Sequence, residues 1–511
     1  KVKSCAVHGV DGRMIDVEAD VNDGLPVFTM VGYLSSSVRE SSERVRTALK
    51  NSGFHLPPKR ITINLSPADM RKDGSGYDLA IATAVLLSLG VTAELPMEQT
   101  LVLGELSLDG SIKAIPGVLP MVICAREEGM TSCIVPKENV QEAALVQGIS
   151  VIGVSSLKET MEYIQGIKEY ENTNVEQPAV DTSEYLYDID FSDVVGQESI
   201  KRGMEIAAAG FHNVLLTGAA GAGKSMLAKR LPTILPQMSF EESLEVTKIY
   251  SVGGMLPPEG GLIHRRPFRA PHHTISEYAL IGGGRVPTPG EVSFAHYGVL
   301  FLDELPEFSK PVLEVLRQPL EDRRIRISRV QASYEFPADF MFVAAMNPCP
   351  CGNYPDYRRC SCTEQQIRRY QSKVSGPLLD RIDIRMEVKG VKQEVLFSKQ
   401  KTESSKTIRA RVEQARQMQK ERFAGTGLLF NSQLDGKNLE EYITLSEEGK
   451  RLVLQLFEEQ ELSVRGVHRV LKLARTIADL AGSEEIEHAH LQEAAFYRNQ
   501  DVFAKGVLYG N

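Results

Sequence analysis

Asn213-Val214-Leu215-Leu216-Thr217-Gly218-Ala219-Ala220-Gly221-Ala222-Gly223-Lys224-Ser225 is the stretch whose pattern decides the fold. Asn213 to Thr217 has the make-up of a buried strand, and 226–235 continues with helical spacing. Between them, Gly218 to Ser225 match G-x-x-x-x-G-K-[ST] in the strand–loop–helix setting that this motif requires. Its glycines let backbone N–H groups curl around phosphates, and the helix start adds the positive end of its dipole. Lys224 is placed to reach the β- and γ-phosphates of a nucleotide, and the Ser225 hydroxyl to ligate Mg²⁺. A glycine-rich turn that merely contains a lysine is the bland alternative, and the flanking strand and helix weigh against it.

Downstream segments supply the rest of such a site. The apolar run 298–302 ends in Asp303-Glu304: Asp303 can hold the Mg²⁺ shell and Glu304 can polarise an attacking water. A third strand-like run, 340–346, ends at Asn347, whose neutral amide can orient that water. In 376–383, Arg381 follows a helical segment, where an arginine often completes a neighbouring subunit's site; a salt bridge to Asp380 or Asp383 is the alternative. Arg465 opens a helix in 463–469 and is a candidate second phosphate sensor, or an ordinary helix-start arginine.

The order of these parts resembles the AAA+ ATPases, and within them the magnesium-chelatase-like group. The residues that carry the resemblance are Gly218 to Ser225, Asp303-Glu304, Asn347, Leu378-Leu379-Asp380-Arg381 and Arg465. Two insertions typical of that group are recognisable in the long Gly/Pro-rich stretch 253–290 and the hairpin-like 323–336. The chain is most similar to the YifB/ComM family, along essentially its whole length. That resemblance implies a homohexameric ring with ATP at subunit interfaces. It also implies a DNA motor, a helicase promoting branch migration in recombination or natural transformation.

Composition sets bounds on all this. At 511 residues, and roughly 150 residues per domain, about three domains are expected. Hydrophobic residues at 42% and charged residues at 24% are globular values, which excludes disorder as the main state. The net charge of −9 excludes a surface that is basic throughout, so contact with nucleic acid has to be local. The uncharged stretch 79–93 is shorter than the ~20 residues a bilayer span needs, so no membrane partner is expected. No signal peptide is recognised at the start. With four of the seven cysteines clustered, this gives a cytoplasmic expectation.

The expected division is an α/β domain over 1–166, a linker over 167–190, an ATPase domain over 191–392 and a helical lid over 393–511. The first block resembles the Lon protease domain, with Asp73-Gly74-Ser75-Gly76 where the nucleophile motif belongs. Hydrolysis there needs a serine activated by a lysine. Alignment puts Gly76 at the serine position and Leu119 near the lysine, so a non-proteolytic module is expected; a shifted register would restore Ser75. Lys59, Arg60, Arg71 and Lys72 read as a solvated basic face.

Cys349, Cys351, Cys360 and Cys362 form two C-x-C pairs eight residues apart. Four thiolates from two short knuckles suit a tetrahedral Zn²⁺, with an iron–sulfur cluster as the main competitor. His272-His273 is read as a loop or pore element rather than a ligand pair. The nucleic-acid candidates are Arg324, Arg326 and Arg329 in the hairpin, and Arg265, Arg266 and Arg269 in the insertion. They would grip phosphates without reading bases. A solvated hairpin or an intersubunit ion-pair surface is the alternative for these arginines. Two other functional classes stay open, a chelatase-type protein-remodelling ATPase and an ATP-dependent protease.

Overall fold

The computed structural model describes residues 1–169, 187–257, 261–329, 332–390, 402–459 and 463–498. The linker expected over 167–190 falls largely on 170–186, outside the described residues.

The first block is built on a seven-stranded mixed sheet. Its order is Phe28–Val31, Arg60–Ser66, Asp11–Asn22, Val2–His8, Thr100–Val102, Ser132–Pro136 and Ser150–Val154. Alternate residues of the strands feed two separate cores. Val102, Ile134 and Ile152 join the helices Ser36–Asn51, Asp78–Ser88 and Leu157–Ile164 on one face. Leu101, Cys133 and Val151 join Val118–Glu127 on the other. The period of two in side-chain direction divides them. Helix Asp78–Ser88 is buried almost all round, which its mostly apolar composition allows; the buried Thr83 hydroxyl donates to Leu79 O at 2.8 Å. The four N-terminal residues of Ser36–Asn51 lack intrahelical acceptors, and Ser35 Oγ meets one by accepting from Val38 N at 3.4 Å.

The second block has a five-stranded, wholly parallel sheet in the order Phe268–Arg269, Val299–Leu302, Met341–Met346, Val214–Thr217, Ile384–Glu387. Val214, Leu216, Val343 and Met386 face one core, which the C-terminal helices Ser405–Arg422, Val464–Leu480 and His488–Arg498 complete. Leu215, Leu300, Phe342 and Met346 face the other. Val214–Thr217, Val299–Leu302 and Met341–Met346 are buried on both faces and read as continuous apolar runs, so they were legible in the sequence, whereas Phe268–Arg269 and Ile384–Glu387 are only partly buried and were not picked out. The helix after the phosphate loop is shorter than expected: Lys224–Arg230 gives way to a 3₁₀ turn, Leu231–Thr233, where Pro232 brings no N–H.

The two blocks meet through a buried polar knot. Ser251 Oγ, at the end of Phe240–Val252, donates to the Glu142 carboxylate, which also accepts from Leu119 N at 2.8 Å and Asn139 Nδ2 at 3.1 Å. Gly117 N donates to Ser251 O at 3.0 Å. Burial raises the pKa of Glu142 above the usual carboxylate range.

Candidate functional site

The carboxyl ends of three neighbouring parallel strands converge. Val214–Thr217 runs into the phosphate loop, Met341–Met346 into Asn347, and Val299–Leu302 into Asp303-Glu304. Open parallel sheets bind ligands at this edge. Gly221 and Gly223 take φ of 76° and 95°, which suits glycine, and a Cβ on Gly218 would lie 2.2 Å from the Val388 carbonyl oxygen. The loop therefore keeps its path only with these residues.

Inside the loop, Lys224 is 8% exposed and its ammonium donates to Gly218 O at 2.7 Å, Ala219 O at 2.9 Å and Asn347 Oδ1 at 3.0 Å. Burial lowers its pKa, an effect that the carboxylates of Asp303 and Glu304 oppose. Ser225 Oγ donates to Asp303 Oδ2 at 2.5 Å, so hydroxyl and carboxylate face one point. Asp303 Oδ1 accepts from Glu304 N at 2.9 Å, and Glu304 sits in the left-handed region at φ 52° with its side chain exposed. Such strain concentrates at functional sites. These residues, with Ala220, Ala222 and Met226, line an open cleft of about 310 Å³.

Arg381 and Arg465 do not line that cleft. Asn213 Nδ2 donates to Arg381 O at 2.9 Å, which puts Arg381 at the amino end of the phosphate-loop strand. A four-residue strand, about 13 Å at ~3.3 Å per residue, separates it from the phosphate loop. Here the two arginines meet each other. Glu321, which the sequence pattern did not single out, pairs with Arg381 Nη2 and lies 4.0 Å from Arg465 Nη2. They share a second cleft of about 270 Å³ with Arg469, Lys472 and Asp383. Burial pushes Lys472 down to about 8. Asp383 is also buried, a cost to its charged form, but Arg469 at 2.7 Å and His212 at 3.6 Å outweigh it and hold the carboxyl well below the usual range.

The four cysteines come together. Their ligand atoms all lie within 4.8 Å of one another, with Cys349–Cys351 at 3.4 Å, Cys351–Cys360 at 3.6 Å and Cys349–Cys360 at 3.8 Å. Four sulfurs at ~2.3 Å from one tetrahedral ion lie about 3.8 Å apart, so the cluster has the size of a single-ion site. A multi-iron cluster would spread the sulfurs further. N–H groups of Asn353 and Ser361 draw the Cys351 thiol down to about 6, toward the thiolate a metal needs. Among the described residues this is the one group of three or more potential ligands. His272 and His273 are outside it, their rings tilted against each other with centroids 4.0 Å apart. The cysteine loop also touches the phosphate loop: a Cβ on Gly352 would sit 3.3 Å from Ala220 N and 3.8 Å from Asn347 Cγ.

The nucleic-acid candidates separate. Arg266 is 5% exposed and donates to Pro236 O, Tyr297 O and Glu242, so it ties the interior together and presents no surface charge. Arg269 is held by Glu291 at 2.6 Å. Arg265 lies over the Tyr187 ring at 5.5 Å. The hairpin forms from Arg324–Ser328 and Ser333–Pro337, with residues 330–331 outside the described set. Arg324 and Arg326 are exposed but share Glu335, at 3.0 and 3.1 Å, and Arg329 donates to Gly284 O at 2.9 Å.

In the first block, Ser75 Oγ donates to the Glu105 carboxylate and Leu119 is fully buried. Lys72 is not on a solvated face; it is 0% exposed, with its ammonium turned to Pro67 O and Met70 O.

Comparison with known proteins agrees with this layout. Family models for magnesium chelatase subunit ChlI match residues 190–396, for subunit ChlI of Mg-chelatase residues 17–139, and for the subunit ChlI C-terminal region residues 402–498. The competence protein ComM of Haemophilus influenzae is 40% identical over 503 residues, 97% of each chain. The uncharacterized protein YifB of Escherichia coli is 41% identical over 504 residues, 98% of this chain and 97% of that one. Lon protease 2 of Bacillus subtilis is 30% identical over 183 residues, 32% of each chain. Phosphate loop, acidic strand end and helical C-terminal block thus stand in one architecture, and the chain belongs to the magnesium-chelatase-like AAA+ family that includes YifB and ComM.

Proposed function

We propose that the chain hydrolyses ATP as one subunit of a homohexameric ring and uses the cycle to move DNA, as a helicase acting on branched or single-stranded substrates. The observation that carries this reading is the division of parts within one chain. Lys224, Ser225, Asp303, Glu304 and Asn347 gather at one edge of the sheet, and Arg381 and Arg465 stand together at the other. Among the described residues no arginine lines the cleft, and in this reading a second copy supplies one. In the assembled site Lys224 holds the β- and γ-phosphates, Glu304 takes the proton of the attacking water and Asn347 orients that water. Arg381 and Arg465 of the adjacent copy offset charge that develops on the γ-phosphate. Ser225 and Asp303, facing one point, fit Mg²⁺, which supplies neutralisation of phosphate charge.

The cysteine cluster is a zinc site in this reading, holding a loop that has no core of its own. The first domain is a non-proteolytic scaffold, because Ser75 donates to a carboxylate and the buried Lys72 is turned to backbone carbonyls. The alternative is a remodelling ATPase that acts on a protein, and one observation favours it: Arg266 and Arg269 are spent on internal carboxylates, and Arg324 and Arg326 share one.

Steady-state ATP turnover with and without a branched DNA junction, at low and moderate salt, separates the two. Lys224→Ala is the blank and should be inactive. Several-fold stimulation that fades with salt supports the DNA motor, because phosphate contacts release counterions. Robust turnover without a DNA response refutes the DNA motor and leaves the remodelling ATPase.

A further inference from the structure

The cysteine cluster closes a circuit of chain that begins and ends at the phosphate cleft. Asn347, whose Oδ1 accepts from Lys224 Nζ at 3.0 Å, is followed after one residue by the fully buried Cys349. The chain then passes Cys351 and Gly352, makes an exposed excursion over 355–359 and returns through Cys360 and Cys362. Thr363 starts the helix Glu364–Gln371: its Oγ1 accepts from Gln366 N at 3.3 Å, and Gln366 Oε1 accepts from Thr363 N at 2.9 Å. That helix leads back to the strand end. Gln371, 1% exposed, donates from Nε2 to Pro348 O at 2.8 Å, and the Tyr370 phenol sits by the Asn347 N–H.

Both ends of the circuit thus hold Asn347-Pro348, and its middle rests on the phosphate loop. Gly352 takes φ of 81°, and a Cβ there would lie 3.3 Å from Ala220 N and 3.8 Å from Asn347 Cγ. Within 350–363 only Gly352 is buried. A segment with so little interior has no packing to fix its path, so an ion at the four thiols supplies the order instead. A knuckle on a free surface loop would order that loop alone; this one is tied to Asn347 and Ala220. We infer that metal occupancy at Cys349, Cys351, Cys360 and Cys362 sets the nucleotide affinity of the phosphate cleft, by fixing Asn347 against Lys224 and Gly352 against Ala220. The four cysteines are then positioning residues for the ATP site. The inference rests on the ATPase and zinc readings above and extends them by making the two sites one coupled unit. Linkage makes the coupling reciprocal: nucleotide tightens metal binding by the factor that metal tightens nucleotide binding.

Titration of a fluorescent ATP analogue into the Zn²⁺-loaded chain, and into the chain stripped by a chelator that is then removed, reads this directly. Stripping should weaken analogue binding about fivefold or more, and adding Zn²⁺ back should restore it. Zn²⁺ affinity, read by competition with a chromophoric chelator, should rise by the same factor when nucleotide is present. Cys360→Ser/Cys362→Ser leaves Asn347 and its neighbours unchanged. It should bind the analogue as weakly as the stripped chain does and show no response to Zn²⁺. Equal nucleotide affinity with and without metal overturns the inference while both sites stand. Loss of analogue binding together with the far-UV helix signal assigns the metal to the fold alone and also overturns it. An unchanged chain that takes up no Zn²⁺ overturns it through the metal site. One that takes up Zn²⁺ but no nucleotide overturns it through the ATPase reading, so the two failures are told apart.

Discussion

At the scale of single residues, Glu304 carries the sharpest prediction. Its left-handed backbone and the hydrogen bond from its N–H to Asp303 aim a free carboxylate over the cleft. Glu304→Gln keeps the shape and removes the base, so turnover should fall by roughly 10²–10⁴-fold with nucleotide affinity unchanged. Steady-state hydrolysis beside binding of a fluorescent analogue checks this. Undiminished turnover would remove Glu304 from the assigned role. Lys224 should behave differently. Its three donors already hold oxygens of Gly218, Ala219 and Asn347, so a phosphate oxygen takes over a prepared position. Lys224→Ala should therefore weaken binding itself, by tenfold or more given about 1.5–3 kcal/mol for a charge-assisted bond.

At the scale of elements, Asp383 shows how a strand end is secured. It is 4% exposed, accepts from Asn213 N at 3.0 Å and pairs with Arg469 across to the helix Val464–Leu480. Its folded pKa is depressed, so it contributes stability in full above the unfolded value of about 4, which is lost as the pH falls below that. Asp383→Asn leaves Arg469 without its counter-charge and should cost about 3 kcal/mol at neutral pH. Urea midpoints should fall at pH 7, and the difference from the unchanged chain should shrink toward pH 3. Parallel strands and long helices were legible because continuous apolar runs and helical period are local signals. The placement of Lys224, Ser225, Asp303, Glu304 and Asn347 around one cleft was legible because each follows an apolar run that ends in glycine or polar residues. Val2–His8, Asp11–Asn22 and Phe28–Val31 carry weaker alternation and were not picked out. The meeting of Arg381 with Arg465 was invisible as well, because 84 residues of chain separate them and Glu321 bridges them from a third element. Buried Arg266 and Lys72 misled for a related reason. A cation's burial depends on acceptors that only the fold supplies, here Glu242 and backbone carbonyls.

At the scale of the whole molecule, the proposed ring gives the two edges of the parallel sheet opposite parts in assembly, the cleft at one and Arg381 with Arg465 at the other. In the proposed ring, a heterologous, head-to-tail contact that closes on itself pairs the cleft of one copy with the arginines of the next. Each site then draws on two chains, so damage to opposite halves can be complemented. Lys224→Ala chains have no working cleft but still present Arg381, and Arg381→Ala chains have the cleft but present no arginine. Each alone should be close to inactive. Mixed in equal amounts and assembled at random, they form an intact pair at one interface in four, so turnover should recover to about a quarter of the unsubstituted rate if sites fire independently. Recovery well below that value would mean that hydrolysis at one interface depends on its neighbours. No recovery in co-assembled rings would mean that each chain's arginine serves its own cleft. That arrangement would require Arg381 to cross the strand that separates it from Lys224, which the hydrogen bond from Asn213 to its carbonyl and the pairing with Glu321 both oppose.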